Sequence, residues 1–187
     1  MADKGKLCEA RILRNDPEAQ GKPEYQTYAV PYEEGSTVMD ILSYIQENLD
    51  GSLAFRMGCA GAGHQRCGAC PVLVNGRPRL SCKTLAEENM TIDPHPAFEV
   101  VRDLALDFDK RRGEIELKPS VRITVDPEKC DGCRDCVILC PMGVYDLGKK
   151  DGKAVADAVH MGDCCGESCA QCAIFCKNSA ITVVDIP

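Results

Sequence analysis

Cys130-Asp131-Gly132-Cys133-Arg134-Asp135-Cys136-Val137-Ile138-Leu139-Cys140-Pro141 decides how this chain is read. Three thiols set two residues apart can wrap one face of a 4Fe–4S cube. The fourth, three residues further on and followed by proline, points away toward a second cluster. The plainer reading is a zinc site using four of these thiols. Nine cysteines between Cys130 and Cys176 exceed what zinc needs.

Downstream, the pattern recurs. A shift of 36 residues carries Cys133, Cys136 and Cys140 onto Cys169, Cys172 and Cys176, and Val144 and Tyr145 onto Ala180 and Ile181. Duplication of a small cluster-binding unit explains this. Lobes of below about 40 residues have almost no core of their own, so metal commonly supplies their folding free energy. The shift places the first ligand of the second lobe at Gly166, where there is no thiol. Cys164 and Cys165 stand just before it, and the smaller displacement favours Cys165, with Cys164 as the alternative. Cys165, Cys169 and Cys172 also match the spacing of radical S-adenosylmethionine enzymes. The short stretch of chain beyond them leaves no room for the barrel of those enzymes, and Cys140 is available as a fourth ligand.

Upstream, Cys59, Cys67, Cys70 and Cys82 form a separate block, and Cys8 stands alone in a strand pattern, which reads as a small core residue. Residues 7–14 and 25–32 read as strands. Residues 37–49 read as a helix capped by Thr37 and stopped by Gly51, with Val38, Ile41, Leu42, Ile45 and Leu49 on one stripe. Residues 72–80 read as a hairpin turning at Asn75-Gly76, and Met90-Thr91-Ile92 as a last short strand. Together these suggest a β-grasp domain over 1–96. Residues 83–129 hold no cysteine and are rich in proline and charge, as at Asp93-Pro94-His95-Pro96, and 97–119 reads as a linker. Phe98, Val101, Leu104 and Phe108 suggest that it carries a helix over 98–112. Residues 120–187 form the two-cluster unit. The fold class expected is α+β: an N-terminal β-grasp domain, then a pseudo-twofold dicluster ferredoxin domain.

The run Cys130–Pro141 resembles the bacterial two-cluster ferredoxins over about residues 120–187. That resemblance implies crossed ligation: Cys130, Cys133, Cys136 and Cys176 around one 4Fe–4S cluster, and Cys140, Cys165 (or Cys164), Cys169 and Cys172 around the other. The segment Cys67-Gly-Ala-Cys70-Pro-Val-Leu-Val-Asn-Gly-Arg-Pro-Arg-Leu-Ser-Cys82, with Phe55-Arg56-Met57-Gly58 and Val101-Arg102-Asp103-Leu104, resembles the succinate dehydrogenase/fumarate reductase iron–sulfur subunit, in which a β-grasp domain holds a 2Fe–2S cluster. The family's first ligand precedes the arginine, where this chain has Phe55. Cys59 is the nearest substitute, and seven residues separate it from Cys67 where four are usual. A longer arm, with Gly61 and Gly63 permitting close backbone approach, can span a larger cluster. The expectation at Cys59, Cys67, Cys70 and Cys82 is therefore 4Fe–4S over 2Fe–2S. His64 is a weaker candidate ligand.

The 187 residues carry fourteen cysteines, 5% aromatic residues and a net charge of −7. The acidic balance excludes a broad basic nucleic-acid face. No apolar run is long enough to cross a membrane as a helix, and MADKGKLCEA lacks a signal-peptide core, so a cytoplasmic protein with no membrane partner is expected. There thiols stay reduced, and cysteines at this density usually hold metal. No Ser–His–Asp or Cys–His set and no nucleotide motif is visible. With every cluster fully thiolate-ligated, the chain is expected to have no catalytic site of its own. It is expected to relay electrons through three clusters to or from a large catalytic oxidoreductase subunit, with further ferredoxin-type carriers as possible partners. Only 23 residues separate Cys140 from Cys164, shorter than in the membrane-bound family. In this the chain resembles the small subunits serving tungsten-pterin enzymes of the aldehyde ferredoxin oxidoreductase type, such as class II benzoyl-CoA reductase. A flavin-containing fumarate reductase-like partner, or a free multi-cluster ferredoxin, is the alternative.

Overall fold

The computed structural model describes residues 6–19, 21–57, 67–112 and 117–187. Strand β1 (Lys6–Arg14) pairs antiparallel with β2 (Glu24–Tyr32). Helix α1 (Val38–Tyr44) follows and continues as a wider helical turn, Ile45–Leu49. Its start is fixed by a reciprocal cap: the Thr37 hydroxyl accepts from the Asp40 N–H, and the Asp40 carboxylate accepts from the Thr37 N–H. The hairpin β3 (Pro71–Val74) and β4 (Arg77–Leu80) turns at Asn75-Gly76, both at positive φ. β5 (Asn89–Pro94) then enters the sheet parallel to β1 and antiparallel to β3, giving the order β2-β1-β5-β3-β4. The sheet grips α1. Ala10, Ile12, Val30, Val72, Val74 and Ile92 pack on Val38, Ile41, Leu42 and Ile45. Each of these larger aliphatic side chains contributes on the order of 1.5–3 kcal/mol by leaving water. Cys8 is 1% exposed and belongs to this core.

Residues 98–112 do not form the helix that their spacing suggests. They form a second hairpin, β6 (Phe98–Arg102) and β7 (Ala105–Arg111). The helical stripe counted Val101, which is exposed, whereas Leu104, Leu106 and Phe108 alternate inward with the strand period of two. The reversal is held at Asp103, whose φ of 47° is left-handed. Its carboxylate accepts from the backbone N–H groups of Asn15 and Ala54 and from Arg14 Nε. Nor is Asp93–Pro96 a loose connector. Asp93 and Pro94 lie in β5, and His95 is fully buried.

The C-terminal unit is built from small pieces. β8 (Val121–Val125) pairs with β11 (Ile181–Asp185), and β9 (Tyr145–Lys150) with β10 (Lys153–Ala158). Two short helices, α2 (Asp135–Leu139) and α3 (Gln171–Ile174), follow the cysteine loops. The duplication is visible in the backbone. Arg134 before α2 and Ala170 before α3 are both left-handed. The Val144 N–H points at Cys140 Sγ at 3.4 Å, as the Ala180 N–H does at Cys176 Sγ at 3.3 Å.

Replacing Asp103 by alanine leaves Arg14 and two backbone donors short of a partner. About 3 kcal/mol of stability should be lost, read as an earlier denaturant midpoint. The Asp50 carboxyl is held well below its ordinary range, first by the Ser52 hydroxyl and then by the Tyr28 hydroxyl. Because the folded value is depressed, that stabilisation is full above the unfolded value of about 4. It should fall as pH drops below that value, and Asp50→Asn should flatten this acid limb of the stability profile.

Candidate metal centre

Two clusters of thiols line two cavities in the C-terminal unit. The first cavity is lined by Cys130, Cys133, Cys136, Cys172 and Cys176, with Leu139 and Phe175 at its side. The second is lined by Cys140, Cys164, Cys165, Cys169 and Cys172. Cys176 thus joins the three thiols of the first loop, and Cys140 joins those of the second. Cys172 belongs to the wall of both.

The donor chemistry fits sulfur-bound iron. Burial pushes the Cys136 thiol up to about 11 and the Cys164 thiol up to about 12. Cys165, fully enclosed, is raised well above its usual value, again chiefly by burial. Thiols in this state stay protonated unless a bound cation draws the protons off. Among the described residues, no three His, Cys, Asp or Glu side chains converge closely enough to hold a single ion. The sulfurs instead stand around the walls of a space, as a multi-atom cage requires. Backbone N–H groups already face sulfur at Cys140, Cys176 and Cys164, the last from Gly166 at 3.4 Å. The Tyr145 hydroxyl donates to Cys172 Sγ at 3.0 Å. Burial raises the Tyr145 phenol well above its ordinary value, so it remains a donor.

Cys164 and Cys165 differ in their surroundings. Cys172, Cys140 and Cys169 are the ionisable neighbours of Cys164. The Cys165 thiol is instead raised first by burial itself and then by the neighbouring thiols Cys169, Cys164 and Cys140. Lys177, next to Cys176, is 58% exposed and pairs with Asp131 at 3.1 Å, so it is a surface ion pair and not an inward cation.

In the N-terminal domain Cys70 is buried, Cys82 half-buried and Cys67 exposed. The Cys70 and Cys82 sulfurs are 3.3 Å apart. Cys59, His64, Gly61 and Gly63 lie outside the described residues. The Cys67–Cys70 loop presses against the C-terminal unit. A Cβ at Gly68, whose φ is 71°, would collide with the Pro141 ring beside Cys140. Nearby, the Leu80 N–H donates to Ser168 Oγ at 3.1 Å, and Ser168 Oγ donates to the Cys165 carbonyl. Arg79 pairs with Asp185 at 3.1 Å. The Gly68 turn therefore adjoins Pro141 in the wall of the second cavity, and the second cavity shares Cys172 with the first.

Arg111, Asp163, Ser168 and Tyr145 carry no motif and were not singled out by sequence reasoning. Tyr145 left one trace: it stands where the other lobe has Ile181. The long-range pairings of the other three leave no local signal.

Residues 9–112 match the 2Fe-2S iron-sulfur cluster binding domain, and residues 122–145 match a 4Fe-4S binding domain. The fumarate reductase iron-sulfur subunit of Wolinella succinogenes is 35% identical over 164 residues, covering 73% of this chain and 67% of that protein. That of Haemophilus influenzae is 36% identical over 119 residues, covering 62% of this chain and 45% of that protein. That of Escherichia coli O157:H7 is 33% identical over 106 residues, covering 55% of this chain and 42% of that protein. The chain therefore spans less than half the length of the last two. It belongs to the 2Fe-2S iron-sulfur cluster binding domain family and is related to the fumarate reductase iron-sulfur subunits. Among the described residues no helix is long and apolar enough to cross a membrane.

Gly68→Ala places a side chain on Pro141 in a backbone conformation costing roughly 1–3 kcal/mol for other residues. The loop should lift, weakening magnetic interaction between the N-terminal and C-terminal paramagnetic centres and exposing the loop to protease. Unchanged spectra and cleavage would contradict the contact.

Proposed function

We propose that this chain is the electron-relay subunit of an oxidoreductase whose substrate chemistry lies in a larger polypeptide. Bound iron–sulfur clusters supply one-electron storage and transfer, and the protein tunes them through charge, burial and N–H···S contacts. The observation that carries the reading is the pair of thiol-lined cavities that share Cys172 as a wall, with the Gly68 turn of the N-terminal cysteine loop packed on Pro141 beside them. Cys130, Cys133, Cys136 and Cys176 hold one 4Fe–4S cluster. Cys140, Cys169, Cys172 and Cys164 hold the other. Cys164 is preferred to Cys165 because the Gly166 N–H donates to its sulfur.

The N-terminal ligands are Cys59, Cys67, Cys70 and Cys82, and the cluster there is 2Fe–2S. Loop length alone suggests 4Fe–4S, but the sulfur spacing favours two irons. A tetrahedral metal with bonds of about 2.3 Å to sulfur holds two thiolates roughly 3.8 Å apart. Cys70 and Cys82, at 3.3 Å, lie nearer that spacing than the wider one of a cube. A cube takes one thiolate on each iron and needs them further apart. The family match supports the same choice.

An obligate subunit is favoured over a free shuttle by the surface around the first cavity. Ile138 (77% exposed), Ile174 (51%), Phe175 (56%) and Leu139 (38%) lie on α2 and at α3. Apolar exposure of this kind in one place usually marks a contact surface. The relatives' names favour a reductase partner of the fumarate reductase kind, and the short Cys140–Cys164 segment favours a tungsten-pterin one. Tungsten or flavin in the co-purified complex distinguishes them.

Anaerobically isolated protein should hold about ten irons with matching acid-labile sulfide, and a large polypeptide should accompany it. A colourless, zinc-loaded, lone chain would refute the reading. Cys136→Ser should remove or convert one four-iron centre and leave the 2Fe–2S signal intact. Cys164→Ser should lower iron content, whereas Cys165→Ser should retain it; the reverse pattern would return the ligand role to Cys165.

A further inference from the structure

The two turns that supply ligands to the second cavity are joined by a residue from neither. Arg111, the last residue of β7, reaches from the N-terminal half of the chain. Its Nη1 donates to the Met142 carbonyl at 2.5 Å, two residues past Cys140. Its Nη2 donates to Asp163 Oδ2 at 2.6 Å, one residue before Cys164. Gly143 makes the approach possible, since a Cβ there would stand 3.1 Å from Arg111 Nη1. The guanidinium lies 5.6 Å from the Phe98 ring centroid.

Asp163 is 5% exposed, and its Oδ1 has no hydrogen-bond partner. His95 also faces it: the His95 Nδ1 accepts from the Ala97 N–H, which leaves Nε2–H to donate to the Asp163 carbonyl at 3.3 Å. That imidazole is buried and its pKa is lowered, chiefly by desolvation, so it brings no charge. The other charged pair close to this turn, Arg79 with Asp185, is closed on itself at Gly166. Arg111, its own side chain 37% exposed, is thus the cation that compensates a buried carboxylate beside the thiols of the second cavity.

We propose that Arg111 is a positioning residue that clamps the Cys140 and Cys164 turns together and, through its pairing with Asp163, sets the reduction potential of the cluster these turns hold. The inference rests on the second cavity being a 4Fe–4S site. Adding an electron to an already anionic thiolate cluster is opposed by nearby negative charge. With Arg111 present the Asp163 carboxylate is offset; without it that charge stands uncompensated in a low-dielectric setting.

The experiment is a redox titration of the anaerobically purified full chain, followed by electron paramagnetic resonance. Iron and sulfide analysis of the unmodified protein comes first: absence of clusters there refutes the relay reading itself. With clusters present, the second-site signal is identified as the one perturbed in Cys140→Ser. Arg111→Gln should lower that midpoint by about a tenfold change in the reduction equilibrium, about 59 mV for one electron. The other two midpoints should move less. Arg111→Lys should stay near the original value. Arg111→Gln combined with Asp163→Asn should return toward it, a recovery that a merely structural defect would not show. Asp163→Asn alone, which keeps shape and removes charge, should raise the midpoint, and it reads the charge effect even where Arg111→Gln fails to retain the cluster. An unmoved second-site midpoint in both Arg111→Gln and Asp163→Asn, or equal shifts at all three centres, would overturn the proposal.

Discussion

A thiol enclosed by protein cannot ionise unless something positive is enclosed with it, and the C-terminal unit is organised around that constraint. Its helices are one turn or little more, and its sheets are two-stranded. Of the largest fully buried side chains among the described residues, only Val144 lies beyond residue 112. The space that aliphatic side chains would fill elsewhere is ringed by cysteines. With the clusters proposed, metal–thiolate bonding would add to the modest apolar core of Met142, Val144, Val155 and Ile181, and assembly of this unit would be coupled to metal loading. The N-terminal domain differs: its sheet and helix bury Ile12, Ile41, Leu42, Ile45 and Ile92 independently of any thiolate cluster.

Local chemistry made much of this legible. Thr37 as cap, Asn75-Gly76 as turn and the alternation in β1 and β2 are short-range signals, and the structure follows them. The 36-residue repeat carries through to matching N–H···S contacts and matching left-handed residues, because duplicated loops around similar ligands meet similar steric demands. Residues 98–112 mislead because Phe98, Val101, Leu104 and Phe108 satisfy a helical period by coincidence. What holds them as a hairpin is Asp103, whose partners Arg14, Asn15 and Ala54 lie far away in sequence. The same limit hid Arg111 and Ser168. Spacing reveals a motif; it cannot reveal a side chain arriving from another element.

The second hairpin also changes how the two halves relate. A helical linker would have left them as separate bodies. Instead Phe98, Leu106, Met142, Val144 and Cys164 share one core, so β6 and β7 pack into the dicluster unit. The N-terminal domain reaches across with Arg79, Leu80 and the Gly68 turn as well.

That junction has a dynamic consequence. Where a turn lies so close to a proline ring that a single methyl group has no room, the two halves cannot swing about a hinge without first losing an ion pair, a backbone hydrogen bond and part of a shared core. On the proposed relay, the spacing between the cluster sites is then set by how the two halves pack and not by an opening and closing motion.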